Sequence, residues 1–136
     1  MRHALLAFSL LLTPVALLGC QSTPSAESLS AMSPADLFSG YTGNLNDLGG
    51  LLGGVNDEFS AATSLPKAKD LVTGLSAYAE KINALPPGQF DSLMQQFGPQ
   101  IDPAMQAVDG QIARLASNPS YGSTITNVLQ SIPRLN

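Results

Sequence analysis

The sequence predicts an all-α protein, a small antiparallel helical bundle of four to five helices preceded by a signal peptide and a flexible tether. Three observations support this fold class. Large apolar residues recur at spacings of three and four from Phe38 to Ile132, which is the period of an amphipathic helix. No segment shows the strict alternation of apolar and polar residues that is typical of a strand. Proline- and glycine-rich breaks divide the chain into helical segments, and short connections favour antiparallel neighbours.

The segment 1–19 has the composition of a secretory signal. Arg2 and His3 give a short basic start, and an apolar run extends from Ala4 to Leu18. This run is shorter than the roughly 20 apolar residues that a membrane-spanning helix needs, and it fits the apolar region of a signal peptide. We therefore expect residues 1–19 to be cleaved and to take no part in the folded domain.

The apolar run ends in Leu17, Leu18, Gly19 and Cys20. These residues resemble the lipobox of bacterial lipoproteins, in which a small residue directly precedes the cysteine. The resemblance implies diacylglyceryl transfer to the Cys20 sulfur, cleavage after Gly19, and acylation of the new amino group. The alternative is a free or buried thiol behind an ordinary signal. An unpaired cysteine in an exported protein needs an explanation, and lipid attachment supplies one.

Lipid on Cys20 would anchor the protein to a membrane of the bacterial cell envelope without a transmembrane helix, because two or more acyl chains hold a protein stably. Gln21 follows the cysteine, and resemblance to proteobacterial sorting patterns favours the outer membrane over the inner one. Which leaflet the domain faces stays open. Residues 20–33 are small and polar after the cysteine, so they predict a flexible tether of about 20 Å mean span.

The domain is predicted over residues 34–136, and its first helix begins where Ser33 is a helix cap and Pro34 the first helical residue. Apolar residues then follow at alternating spacings of three and four. These residues are Phe38, Tyr41, Leu45, Leu48, Leu52, Val55 and Phe59. The regular stripe predicts a helix through the glycine-rich stretch that follows Asp47, although that helix could break between Gly49 and Gly54.

Two interpretations compete for Gly49, Gly50, Gly53 and Gly54, which all lie off the apolar stripe. In the first, they mark a weak helix with a smooth exposed back, because each glycine costs about 0.5–1 kcal/mol relative to alanine. In the second, the pairs at spacing four form a helix-contact face that lets a second backbone approach closely. We favour the first, because that motif acts mainly in apolar membrane helices.

A second helix is predicted to begin at Ser64, and its apolar stripe extends from Leu65 to Ile82. A helix that starts at Asp57 and carries Pro66 as a kink is the alternative. The prolines and glycine at 86–88 should end this helix.

A third helix is predicted from Gln89 to Phe97, because Gly98 and Pro99 form a stop signal. Asp102 and Pro103 then predict a cap and a fresh helix that continues to Ala116. Whether the segment is continuous through both prolines stays open. A last helix is predicted from Ser123 to about Pro133.

This order of a glycine-rich helix, proline-interrupted helices and a short last helix is similar to that of small exported helical bacterial proteins of unknown function. The similarity covers roughly residues 45 to 132, and no activity is implied by it.

Composition excludes several chemistries. The chain has six Lys and Arg against ten Asp and Glu, and Arg2 lies in the signal. An acidic domain lacks the basic patch that binds phosphates, so we expect no nucleic-acid partner. The only histidine, His3, is cleaved and the only cysteine, Cys20, is lipidated. Catalysis by Ser-His-Asp or Cys-His groups and zinc ligated by His or Cys are therefore excluded from the mature domain.

The remaining candidates for a site are few. We expect Asp57 and Glu58 to favour a helix start rather than a metal, and no metal or cofactor is predicted. Tyr41 and Tyr78 could line a pocket for a small apolar ligand, although core packing is the more usual role of such residues.

The predicted function is that of a membrane-anchored lipoprotein, a non-catalytic interaction or structural accessory protein with an envelope protein as partner. An apolar-ligand or lipid carrier is the alternative. An enzyme that relies on carboxylates such as Asp91, Asp102 and Asp109 ranks third.

Overall fold

The computed structural model describes residues 23–136, which form five α-helices and no strand. The helices are α1 Ala26–Ala31, α2 Pro34–Gly53, α3 Glu58–Asn83, α4 Pro87–Ala116 and α5 Gly122–Leu129. Helix α2 packs against both α3 and α4, α5 packs against the same two helices, and α1 packs on α3. The predicted small all-α bundle is therefore confirmed.

Helix α1 lies within the segment 20–33 that was expected to be a flexible tether. Ser25 caps it by accepting a hydrogen bond from the Ser28 backbone N–H at 3.1 Å. Leu29 is buried in the common core, and Met32 packs partly against it. The expectation was wrong for this part of the segment, because one leucine among small polar residues is enough to dock a single helical turn.

Helix α2 begins as predicted. The Ser33 hydroxyl accepts from the Asp36 backbone N–H, and the Asp36 carboxylate accepts from the Ser33 N–H. This reciprocal cap fixes the register of the helix. The apolar stripe is then buried as expected; its members with no exposed surface are Phe38, Tyr41, Leu45, Leu48, Leu52 and Val55.

Phe59 does not belong to that stripe, and its side chain is 78% exposed. The helix ends at Gly53, with Gly54 as its cap, so the break expected in the glycine-rich stretch falls at these two residues. Asp57 then starts α3 in a new register, because its carboxylate accepts from the Ser60 N–H at 2.7 Å. Of the two predicted starts for α3, the one at Asp57 is thus confirmed.

Helix α4 is continuous, so the predicted stop at Gly98–Pro99 and the predicted cap at Asp102 are wrong. Pro99 and Pro103 lie four residues apart on the exposed side of the helix. A proline lacks an N–H and frees a backbone carbonyl one turn earlier, and water can satisfy that carbonyl on the exposed side. Burial of the opposite side holds the helix together through Phe97, Ile101, Ala104 and Val108.

The chain beyond α5 is extended and packs onto the bundle. Helix α5 ends at Leu129, earlier than the predicted end near Pro133. Ile132 and Leu135 are partly buried against the core. The tail, residues 132–136, is also tied to α3, because the Asn136 backbone N–H donates to Asn83 Oδ1 at 3.2 Å.

Candidate functional site

The lipidation site falls outside the described residues. Leu17, Leu18, Gly19 and Cys20 all precede Thr23, the first residue that the structure describes. Within residues 23–136, no helix is long and apolar enough to cross a membrane. For the predicted anchor, the structure therefore shows only how the nearest described residues, from Thr23 onward, pack on the bundle.

The first described residues lie beside a close contact between α2 and α3. A Cβ atom at Gly74 of α3 would lie 2.5 Å from Asn44 Nδ2 of α2 and 3.7 Å from Pro24 Cδ. Because Gly74 has no side chain, the Asn44 amide can lie against α3, and Pro24 lies next to the same position at an ordinary contact distance. A groove of about 190 Å³ opens beside them, and it is lined by Thr23, Pro24, Asn44, Lys67, Asp70, Leu71 and Tyr78.

The four glycines of the predicted contact face have different environments. A Cβ at Gly49 would meet the Val108 side chain of α4 at 3.7 Å, so this glycine is turned towards the bundle. Gly50 and Gly53 have open space around the Cβ position. Gly54 is the C-cap of α2. No described helix approaches Gly50 or Gly53, so a contact face for an outside partner stays a prediction for these two positions.

Phe59 lies at the same end of the bundle as these glycines, in the first turn of α3. It is the large apolar side chain that the described part of the chain exposes most, at 78%. We name the surface formed by Gly50, Gly53, Gly54 and Phe59 the α2–α3 corner. The exposed ring of Phe59 provides apolar area that another protein surface can cover.

Tyr41 belongs to the core and not to an open ligand pocket. Its hydroxyl donates to the Pro133 carbonyl oxygen at 2.8 Å. Burial raises the pKa of this hydroxyl to about 12, and the positive charge of Arg134 opposes that rise. The residue borders a small cavity of about 140 Å³, which is also lined by the apolar residues Met94, Ile101, Met105 and Leu135 and by the charged residues Asp102 and Arg134.

Tyr78 lines the groove beside Pro24 instead, and burial raises its pKa as well. Its ring lies against Gly40 of α2, where a Cβ would come within 2.5 Å of Tyr78 Cε1. The predicted pairing of Tyr41 and Tyr78 in one pocket therefore does not match the structure. The two rings border separate cavities, each smaller than the roughly 300–1,000 Å³ of typical ligand pockets.

A third hollow lies where α2 and α4 begin. It has about 520 Å³ but is broad and shallow, and it is lined by Ser33, Pro34, Ala35, Gly88, Gln89, Ser92 and Leu93. Its lining consists mainly of small and polar residues. It is open to solvent over much of its extent, whereas ligand pockets bury most of the ligand surface.

The carboxylates of α4 do not converge. Asp91, Asp102 and Asp109 occupy exposed positions, and at about 1.5 Å per residue they lie roughly 16 and 10 Å apart along the helix. Asp109 forms an exposed ion pair with Arg134 at 2.9 Å. Among residues 23–136, no group of three His, Cys, Asp or Glu side chains is arranged to hold a metal ion. Asp57 is a helix cap, and hydrogen bonds from Ser60 lower its pKa.

Arg114 makes contacts that the sequence did not indicate. Its Nη1 donates to the Val55 carbonyl oxygen at 3.0 Å, and its Nη2 donates to the Leu52 carbonyl oxygen at 2.7 Å. Its Nε donates to Gln111 Oε1 at 2.8 Å. A cation at a helix C-terminus is favourable, so Arg114, which belongs to α4, stabilises the C-terminal end of α2. The only available signal was a lone arginine in the last turn of an amphipathic helix.

Comparison with models of known protein families, with curated proteins and with solved structures gave no match. The function is therefore inferred from the residues of this chain alone.

Proposed function

We propose that the protein is a lipoprotein anchored to a bacterial envelope membrane, with the outer membrane favoured, by acyl chains on Cys20. Its helical bundle acts without catalysis, through contact with an envelope protein. The signal and lipobox resemblance of residues 1–20 supports the anchor. The α2–α3 corner supports the contact function, because Phe59 is exposed at a site where burial would be favourable.

The polar chemistry of the bundle also favours a contact protein. Within the described residues, every buried side-chain nitrogen or oxygen has a hydrogen-bond partner. The buried interior of the bundle therefore places no unpaired side-chain group that a small molecule could recognise. The polar side chains of this domain serve mainly as helix caps and exposed surface.

The anchor is tested by replacing the sulfur. The full chain and its Cys20→Ser variant are expressed in a bacterial host with labelled palmitate, and membrane and soluble fractions are separated. We expect label and membrane partition for the parent chain and loss of both for the variant. A Gln21→Ser variant is the control, because it changes the neighbouring residue and keeps the thiol. Membrane partition of Cys20→Ser without label would refute the proposed anchor.

The contact surface is tested by crosslinking in native membranes. The lipidated protein is compared with Phe59→Ser and with Gln95→Ser, which changes an exposed residue of α4. We expect one crosslinked partner band that Phe59→Ser weakens strongly and Gln95→Ser leaves unchanged. Equal bands for both variants would exclude the α2–α3 corner as the contact surface.

A carrier of apolar ligands is the second candidate, and the cavity beside Tyr41 is the observation that favours it. Its volume of about 140 Å³ is close to that of a cavity that holds one benzene ring, so a long acyl chain would need the tail to move. Native mass spectrometry of residues 21–136 after expression separates the two candidates. Co-purified lipid would favour the carrier, and a mass without ligand favours the contact protein.

A further inference from the structure

The docking of α1 shortens the path between the membrane anchor and the bundle. Leu29 is 3% exposed and belongs to the core, and Ser25 caps the helix on its membrane-proximal side in the chain. Pro24 lies against α3 at Gly74. The chain is therefore already fixed to the bundle at Pro24 and not first at Ser33, where the expected tether would have ended.

The segment between Cys20 and Pro24 is very short. Cys20 and Pro24 are four residues apart, and a fully extended chain covers at most about 3.3–3.6 Å per residue, so the two lie within about 14 Å. A flexible chain from Cys20 to Ser33 would instead have a mean span of about 20 Å and could extend much further. A Cys20 sulfur whose acyl chains enter the bilayer must lie at the level of the headgroups. Pro24 then lies close to that level.

We propose that the bundle lies against the phospholipid headgroups with the surface around Pro24. We name this surface the α1 face and define it as α1 with Pro24, Asn44, Lys67 and Asp70. The proposal rests on the proposed lipidation of Cys20 and adds an orientation to it. The α2–α3 corner and the outer side of α4 are then left free for a protein partner.

The charges of the α1 face suit a headgroup surface. Lys67 and Asp70 both line the groove beside Pro24, and Glu27 is an exposed residue of α1. One positive and two negative groups give the α1 face a formal charge of only −1, although the whole chain is acidic. Zwitterionic headgroups such as phosphatidylethanolamine therefore meet no strong repulsion there.

The test measures which side of the bundle is near the membrane. A coumarin amino acid replaces either Lys67, on the α1 face, or Gln106, an exposed residue of α4. Lipidated protein from bacterial membranes is placed in phosphatidylethanolamine vesicles that carry nitroxide on their headgroups. We expect much stronger quenching at position 67 than at position 106. Equal quenching at both positions, or stronger quenching at 106, would overturn the proposal.

Leu29→Ser is the matched control, because it removes the buried contact of α1 and leaves the rest of the bundle intact. Undocking restores the long tether, so the excess quenching at position 67 should be lost while circular dichroism keeps the helical signal. Retained excess quenching in this variant would show that α1 docking does not set the orientation.

A parallel sample separates the two proposals. Residues 20–136 are coupled through the Cys20 sulfur to a maleimide lipid in the same vesicles, so that attachment no longer depends on the cell. If the bacterial protein carries no lipid but the coupled protein shows the excess quenching at position 67, the proposed anchor fails and the membrane-facing surface stands. If both samples are attached and neither shows the excess, the α1 face fails and the anchor stands.

Discussion

Replacement of Arg114 should destabilise the bundle far more than replacement of Arg134. The guanidinium of Arg114 is partly buried and donates to two backbone carbonyls at the end of α2, whereas Arg134 forms an exposed pair with Asp109. Methionine keeps the apolar stem of arginine and removes the donors. The comparison between Arg114→Met and Arg134→Met therefore isolates the effect of closing the helix end.

The magnitude follows from the partners that each carbonyl keeps. The Leu52 carbonyl oxygen still accepts from the Val55 N–H at 3.1 Å, but within residues 23–136 Arg114 is the one protein donor to the Val55 carbonyl oxygen. A hydrogen bond to a charged group contributes about 1.5–3 kcal/mol. One bond lost fully and one lost in part give about 2–4 kcal/mol for Arg114→Met. The exposed ion pair of Arg134 is worth about 0–1 kcal/mol.

Urea unfolding followed by circular dichroism measures both values, provided that the slope of the transition stays the same in all variants. Arg114→Lys should fall between the parent and Arg114→Met, because lysine keeps the charge but lacks the planar fork that reaches both carbonyls. If Arg114→Met lost no more stability than Arg134→Met, the arginine would not be closing α2 energetically, and the argument from its geometry would be refuted.

Three further predictions concern a glycine, a tyrosine and a proline. Gly122→Ala should destabilise the domain by about 1–3 kcal/mol or more, because the new Cβ would lie 2.6 Å from the backbone carbonyl carbon of Leu115. Gly50→Ala adds a Cβ in open space and should stabilise the domain by about 0.5–1 kcal/mol. Equal stabilities of the two variants in urea unfolding would contradict this prediction. The raised pKa of Tyr41 means that the folded state holds its proton more tightly than the unfolded state, so the contribution of Tyr41 to stability should be constant below pH 10 and be lost as the pH rises from 10.0 to about 12. Burial also raises the pKa of Tyr78, so Tyr41→Phe should show a smaller alkaline fall than the parent chain, and an identical pH profile for both proteins would exclude Tyr41 as a source. Pro103→Ala should raise the melting temperature, because proline inside a helix costs up to about 3 kcal/mol relative to alanine, and a lower melting temperature would show that the packing of α4 requires the proline.

Local rules predicted the features that depend on near neighbours. The Ser33 cap, the stripe from Phe38 to Leu52 and the all-α class all follow from spacing and capping within a few residues. The same rules failed at Pro99 and Pro103, because a stop signal in the sequence carries no information about which side of the helix is buried. Both prolines lie on the exposed side, so α4 continues.

The contacts that the sequence did not reveal join residues far apart in the chain. Arg114 reaches carbonyl groups of Leu52 and Val55, and Gly74 admits the Asn44 side chain. A backbone carbonyl has no side-chain signature, and a glycine in a helix has the same letter whether it faces solvent or a neighbour. Of the predicted site residues, Gly50 and Gly53 have the exposure that a contact surface requires. Phe59 was not among the predicted site residues, because the spacing of apolar residues places it in the core stripe.

The hydrogen bond between Tyr41 and Pro133 joins residues 92 positions apart and so closes a ring that contains most of the domain. Displacing residues 132–136 from the bundle would expose the Tyr41 side chain of α2, next to the contacts of that helix with α4. The position of the last residues and the burial of Tyr41 are therefore coupled. Detaching the tail costs the domain one hydrogen bond and part of the burial of that side chain.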